Sequence, residues 1–169
     1  MKVSVPPQNQ VPMMVIGVGN EQRGDDAVGL IIARHLRAVI GDAVSVHELT
    51  GDGSALLDLW TGATTVIIID AVQSGAPSGT MHRIDASTQS IPATYRCFST
   101  HAFNVAEAIE LGRALRQLPP HVIVYGIEGK VFTLGAKLSP EIEQEVDGVV
   151  ARVGEDVRQW RDTKAATHA

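Results

Sequence analysis

The stretch MMVIGVGNEQRGDDAVGL, at residues 13–30, decides the fold. It begins with a continuous apolar run, Met13–Val18, which is typical of a β-strand buried on both faces. Asp25 and Asp26 then precede an apolar pattern with helical spacing. Acids at that position favour a helix start because carboxylates complement the positive end of the helix dipole. A buried strand followed by a short turn and a helix predicts the first unit of a parallel α/β sheet.

The rest of the chain alternates between strand-like and helix-like patterns. This alternation predicts an α/β protein with three αβα layers, in which helices flank a five-stranded, twisted, mostly parallel sheet. We expect a single domain at 13–162, an N-terminal arm at 1–12 and a C-terminal tail at 163–169. The further predicted strands cover 44–49, 65–70, 79–84 and 122–127, and the further predicted helices cover 54–60, 100–118 and a last segment that starts at Ser139.

Charge and cysteine content exclude several classes of protein. Lys and Arg number 14 and Asp and Glu 19, which gives a net charge of −5. Because no basic run is present to neutralise phosphates, we expect no nucleic-acid partner. The single cysteine, Cys97, excludes an internal disulfide, a thiolate-rich zinc site and an iron–sulfur cluster. No signal peptide and no apolar run of membrane-spanning length is evident, so we expect a cytoplasmic protein with no membrane partner.

Three polar residues fall where a parallel sheet places its ligands, at the carboxyl ends of the strands. Asp26 follows the first strand, Asp70 ends the strand at 65–70, and His101 opens a predicted helix. Two carboxylates and one imidazole suit a divalent metal such as nickel or zinc, with positions left open for a substrate. Structural roles remain open at this point, because Asp26 also suits a helix dipole and Asp70 a turn cap. The remaining histidines are expected on surfaces or in the tail and receive no role: His35, His47, His82, His121 and His168.

A glycine motif and the lone cysteine are weaker indications of function. Gly17 and Gly19 suggest a dinucleotide-binding loop, but its third glycine would fall at Gln22, and the acids that follow oppose a pyrophosphate. We therefore expect no organic cofactor. Cys97 lies four residues before His101, but a lone cysteine in a predicted loop is usually inert, and its role stays open.

Five sequence blocks, taken together, resemble the nickel–iron hydrogenase maturation endopeptidases. The resemblance extends from about Met14 to the last helix. Members of that family remove a C-terminal extension from the large subunit of a hydrogenase precursor after nickel insertion. The resemblance implies a monomeric, aspartic-type endopeptidase with a hydrogenase large-subunit precursor as its partner. The blocks are Gly17-Val18-Gly19-Asn20, Gly24-Asp25-Asp26-Ala27-Val28-Gly29, Ile69-Asp70-Ala71, Pro77-Ser78-Gly79-Thr80 and Ser99-Thr100-His101.

The same resemblance implies that Asp26, Asp70 and His101 are both the metal-binding and the catalytic residues. We hypothesise that they contact nickel already held by the precursor, so that the protein's own affinity for free metal is weak. The metal would mark the substrate and act as a Lewis acid on the scissile carbonyl, while the general base stays unassigned. Two alternatives are a peptidyl-tRNA hydrolase-like esterase, which shares a first strand followed by Gly-x-Gly-Asn, and a non-catalytic nickel chaperone.

Overall fold

The computed structural model of the protein describes residues 13–50, 52–97 and 103–167. Strands and helices alternate along most of these ranges, and a 3-10 turn at Gly24–Ala27 precedes the first helix. The strands are β1 (Met13–Val18), β2 (Ser45–Leu49), β3 (Thr65–Gln73), β4 (Met81–Asp85), β5 (Arg96–Cys97) and β6 (His121–Glu128). The helices are α1 (Val28–Ile40), α2 (Gly53–Leu59), α3 (Val105–Ala114) and α4 (Pro140–Thr167).

The sheet is mixed but mostly parallel, which confirms the predicted fold class. Its strand order is β2-β1-β3-β6-β4, and the two-residue β5 pairs with the end of β3. The neighbours β2, β1, β3 and β6 are parallel, whereas β4 is antiparallel to β6 and β5 is antiparallel to β3. The chain leaves β1 toward β2 on one side and later enters β3 on the other. This change of direction opens a crevice at the carboxyl ends of β1 and β3.

Two apolar layers cover the two faces of the sheet. On one face α1 and α4 pack against Ile67, Ile69 and Tyr125, and on the other α2 and α3 pack around Ile68 and Trp60. Successive residues of a strand point to opposite faces, so Asp70 faces the α2/α3 layer. The continuous apolar runs seen in the sequence therefore reflect strands that are covered on both sides.

Two glycines let the start of α1 lie directly on the strand ends. A Cβ on Gly29 would lie 2.3 Å from the Val18 carbonyl oxygen and 2.4 Å from that of Ile69. A Cβ on Gly19 would lie 1.9 Å from the Asp26 carbonyl oxygen. Because backbone atoms cannot give way as side chains do, only glycine permits this approach. The contacts fix the turn that carries Asp26 over the end of β1.

Some predicted boundaries differ from the observed ones. The helix predicted at 100–118 is shorter, because Asn104 caps α3 in a box with Glu107 and the chain turns back near Arg116, whose φ is 57°. The helix α4 continues to Thr167, so most of the segment at 163–169, expected as a C-terminal tail, is helical. The predicted arm at 1–12 lies outside the described residues. Among the described helices, none has the length and apolar character needed to cross a membrane.

Candidate active site

Asp70 is a buried carboxylate near the carboxyl end of the central strand β3. Its side chain lies in a sheet position whose neighbours on the same face are apolar, and only 1% of the residue is exposed. Oδ1 accepts a hydrogen bond from the Ala71 N–H at 2.9 Å. Oδ2 is buried and has no hydrogen-bond partner among the described residues. An unsatisfied buried carboxylate oxygen is costly to the fold, and this indicates a ligand-binding role.

Asp26 lies in the 3-10 turn before α1 and is 2% exposed. Its backbone is held firmly, because its N–H donates to the Arg23 carbonyl and its carbonyl accepts from the Asn20 N–H, both at 3.2 Å. Its side chain is held weakly. Oδ1 has no partner within the part of the chain that the structure describes, and Oδ2 lies 3.9 Å from Arg23 Nη1. The turn therefore fixes where Asp26 lies but leaves its carboxylate free to take a ligand.

The negative charge of Asp26 acts on the carboxylate of Asp70. Burial raises the pKa of Asp26 to about 6, against a weaker opposing effect of the Arg23 charge. Burial also raises the pKa of Asp70 well above its usual value, and the negative charge of Asp26 raises it further. Two buried carboxylates that repel each other are stabilised by a shared proton or by a cation. The pair thus fits a divalent cation, as the sequence predicts for these two residues.

His101 lies outside the described residues, so its predicted role stays a prediction. The described residues on either side of it lie at the carboxyl edge of the sheet. Cys97 pairs with Val72 at the end of β3, and the Phe103 carbonyl accepts from the Gly53 N–H at 3.2 Å. Within residues 13–50, 52–97 and 103–167, no three His, Cys, Asp or Glu side chains gather as a metal site. His101 stays the predicted third ligand beside Asp26 and Asp70.

Asp25, next to Asp26, has a structural role that its sequence context does not reveal. It is fully buried, and its carboxylate accepts four hydrogen bonds of 2.7–2.9 Å, from the N–H groups of Lys130, Val131 and Ser139 and from the Ser139 hydroxyl. Burial alone would raise the pKa of Asp25, but these four donors outweigh it and lower the pKa. The carboxylate fastens the loop between β6 and α4 against the turn that carries Asp26.

A further buried carboxylate, that of Glu128, has a structural role like that of Asp25 at the same edge of the sheet. It accepts hydrogen bonds from the Ser74 N–H, the Ser74 hydroxyl and the Gly75 N–H at 2.8–2.9 Å, and its Oε2 lies 3.2 Å from His82 Nε2. The other His82 nitrogen, Nδ1, lies 3.2 Å from the Tyr95 hydroxyl. The side chain of His82 is only 16% exposed, so its expected place on a surface is wrong. This network anchors Tyr95, which begins the approach to β5.

Taken together, the fold and this edge define a class of protein: an α/β protein with buried carboxylates at a topological switch point of its sheet. A family model described as a hydrogenase maturation protease, HycI, matches residues 30–156. The chain therefore belongs to the hydrogenase maturation protease family and is a peptidase. Asp70 and His101 fall within the matched range, and Asp26 lies just before it.

Individual relatives agree with this assignment. The hydrogenase expression/formation protein HupD of Thiocapsa roseopersicina is 26% identical over 160 residues, and the match covers 85% of this chain and 72% of HupD. The structure of the hydrogenase maturating endopeptidase HybD from E. coli is 25% identical, with a TM-score of 0.73 and 88% and 93% of the two chains covered. The HycI protease from Thermococcus kodakarensis, at 20% identity, a TM-score of 0.67 and the same coverage, is similar in fold. Family membership favours the protease over the esterase and the chaperone.

Proposed function

We propose that this protein removes the C-terminal extension of a nickel-loaded hydrogenase large-subunit precursor. The observation that carries the proposal is the pair of buried oxygens, Asp26 Oδ1 and Asp70 Oδ2, that no described residue satisfies. A protein that belongs to a hydrogenase maturation protease family, and in which the described residues leave two carboxylate oxygens unpaired at a strand switch point, is suited to a metal-bearing substrate.

In this proposal the nickel belongs to the substrate, and Asp26, Asp70 and His101 contact it. When bound there, the metal would polarise the scissile carbonyl as a Lewis acid. Its positive charge would favour the ionised form of both aspartates, whose pKa burial raises, and would offset the further effect of the Asp26 charge on Asp70. The proposed ligands include no thiolate, so we expect the site to bind free nickel only weakly. Weak binding is sufficient because the substrate already holds the metal.

The two carboxylates also supply the groups that a hydrolysis requires. A base positioned by the fold takes a proton from the attacking water. Asp26 and Asp70 are the two candidates for this base. The protein would then be an aspartic-type endopeptidase that acts as a monomer. The folded precursor would bind over the carboxyl edge of the sheet.

The test is cleavage of nickel-loaded precursor by Asp26→Asn, Asp70→Asn and His101→Ala variants. We expect each to lose at least about 100-fold in kcat/KM, because each removes a group that acts at the reacting atoms. Asp58→Asn, on the exposed side of α2, is the matched control and should cleave normally. Full cleavage by any of the three site variants would show that its residue is dispensable.

A parallel assay tests the role of the metal. Precursor prepared without nickel should remain uncut, and calorimetry should show weak binding of free nickel to the protease alone. Tight nickel binding without cleavage of loaded precursor would instead support the chaperone alternative.

A further inference from the structure

Arg23 carries an unused hydrogen-bond donor beside the acidic pair. Its Nη1 is buried and has no hydrogen-bond acceptor among the described residues, and it lies 3.9 Å from Asp26 Oδ2. That distance is too long for a hydrogen bond, although it permits attraction between the charges. A buried guanidinium N–H without an acceptor costs the fold free energy, so the arrangement is not explained by stability.

The unpaired donor is not the result of a loosely held residue. The Arg23 N–H donates to the Asn20 carbonyl and the Arg23 carbonyl accepts from the Asp26 N–H, so both backbone groups are fixed in the turn. Elsewhere the fold satisfies a partly buried guanidinium: Arg83 donates to Asp156 at 2.7 Å and to Tyr125 at 3.3 Å. The backbone of Arg23 is therefore held in place, while its side chain keeps a donor that no described residue uses.

The surroundings restrict what this donor can bind. An acceptor at Nη1 comes close to Asp26, whose carboxylate repels an anion such as the free C-terminus of a peptide. A neutral carbonyl oxygen meets less repulsion in the ground state and becomes negative only as the peptide bond is attacked. Guanidinium groups that face such an oxygen stabilise the transition state more than the substrate.

We infer that Arg23 is a catalytic residue that donates from Nη1 to the carbonyl oxygen of the peptide bond being cleaved. The inference rests on the proposed function. Water adds to the carbonyl carbon, the C=O electron pair moves to the oxygen facing Arg23, and the water proton passes to a base of the site. The C=O bond then re-forms, the C–N bond breaks, and the leaving nitrogen takes a proton, which gives a new carboxyl terminus and a free amine.

The test is steady-state cleavage of nickel-loaded precursor by Arg23→Gln and Arg23→Lys. We expect kcat to fall about 100-fold in Arg23→Gln with KM changed less than about 3-fold, because the donor acts mainly in the transition state. Lysine keeps the charge but not the planar fork, so Arg23→Lys should recover only part of kcat. Arg158→Gln, on the exposed face of α4, is the control and should keep both constants.

Three results would overturn the inference. An unchanged kcat in Arg23→Gln would show that the donor is not used. A raised KM with unchanged kcat would show ground-state binding only, and full recovery by lysine with a shifted pH profile would show that Arg23 merely supplies charge to Asp26. Thermal melting separates these from misfolding, since Arg23→Lys should keep the wild-type melting temperature. If the wild-type protein cleaves the precursor and Asp26→Asn does not, the proposed function stands, and any of these three results contradicts only the role of Arg23. If the wild-type protein does not cleave the precursor, the proposed function itself fails.

Discussion

Asp25 and Asp26 are adjacent, both acidic and both buried, yet the structure treats them in opposite ways. Asp25 accepts four hydrogen bonds and its pKa is lowered. Asp26 has an Oδ1 that no described residue pairs, and its pKa is raised to about 6. Burial acts in the same direction on both, so the donors around each carboxylate make the difference. The Asp25 carboxylate stabilises the fold. The fold instead keeps the Asp26 carboxylate buried, without the hydrogen bonds that water would supply.

The contrast teaches how this crevice is built. The donors on Asp25 come from the loop between β6 and α4, more than 100 residues away in sequence. They hold the turn in place, so that Asp26 can stay unsatisfied without moving. Functional sites commonly carry such local costs, which the rest of the structure offsets. The comparison predicts that changes at the two aspartates affect stability and activity in opposite proportions.

The largest expected effect on stability is that of Asp25→Ala. It would leave three N–H groups and one hydroxyl buried without an acceptor, and we expect a loss of ~4 kcal/mol in the free energy of unfolding. Asp26→Ala should keep or raise stability, because it removes one of two repelling buried carboxylates, while it abolishes cleavage. Urea unfolding of both variants measures the difference. Asp58→Ala, on the exposed side of α2, serves as the control, and equal losses at Asp25 and Asp26 would contradict the division of roles.

The sequence predicts the position of Asp26 better than it predicts the hydrogen-bond partners of Asp25. The apolar runs of β1 and β3 indicate buried parallel strands, and the carboxyl ends of such strands meet at one edge, so Asp26 and Asp70 can be placed together without coordinates. The partners of Asp25 cannot be found this way, because Lys130 and Ser139 follow a different strand and no local spacing links them to the turn.

Other differences have equally physical causes. The two residues of β5 are too few to show any periodicity. The start of α3 did have a readable signal, the Asn104-x-x-Glu107 capping box, whereas the apolar pattern alone extends the helix too far. The partly buried His82 receives its partners from β6 and from Tyr95, and such long-range polar networks leave no pattern in a single sequence.

A smaller effect on stability is expected when the turn at Gly24–Ala27 is displaced from the sheet. In Gly19→Ala the new methyl would lie 1.9 Å from the Asp26 carbonyl oxygen, which must move. We expect a loss of ~3 kcal/mol together with a large loss of cleavage, because the displacement falls on the residue that meets the substrate.

The matched control for that change is Gly148→Ala in α4. A Cβ there meets no described residue within 4 Å, and alanine is the better helix former, so stability should rise by up to ~1 kcal/mol with cleavage unchanged. If Gly19→Ala keeps both stability and cleavage, the close approach of the turn to β1 is not required for the site.

The smallest expected effect is a change in pH dependence. The pKa of Asp26 is about 6 in the folded protein, against 3.8 for an unperturbed aspartate side chain, so the folded state binds the proton more tightly than the unfolded chain does. Stability from this group is greatest at low pH and is lost as pH rises from about 4 to about 6. Asp25 has the opposite sign, because its lowered pKa adds stability above about 4 that is lost as pH falls further.

The Asp26→Asn variant separates the two contributions. At pH 7 it should be more stable than the wild-type protein by about 1.5 kcal/mol, a value that allows for screening by solvent, and the difference should vanish near pH 4. Guanidinium unfolding at pH 4, 5, 6 and 7 measures both curves at constant ionic strength. A difference that stays constant across this range would mean that the Asp26 carboxylate is already satisfied in the folded protein, and its proposed role as a ligand for the precursor's nickel would lose its main support.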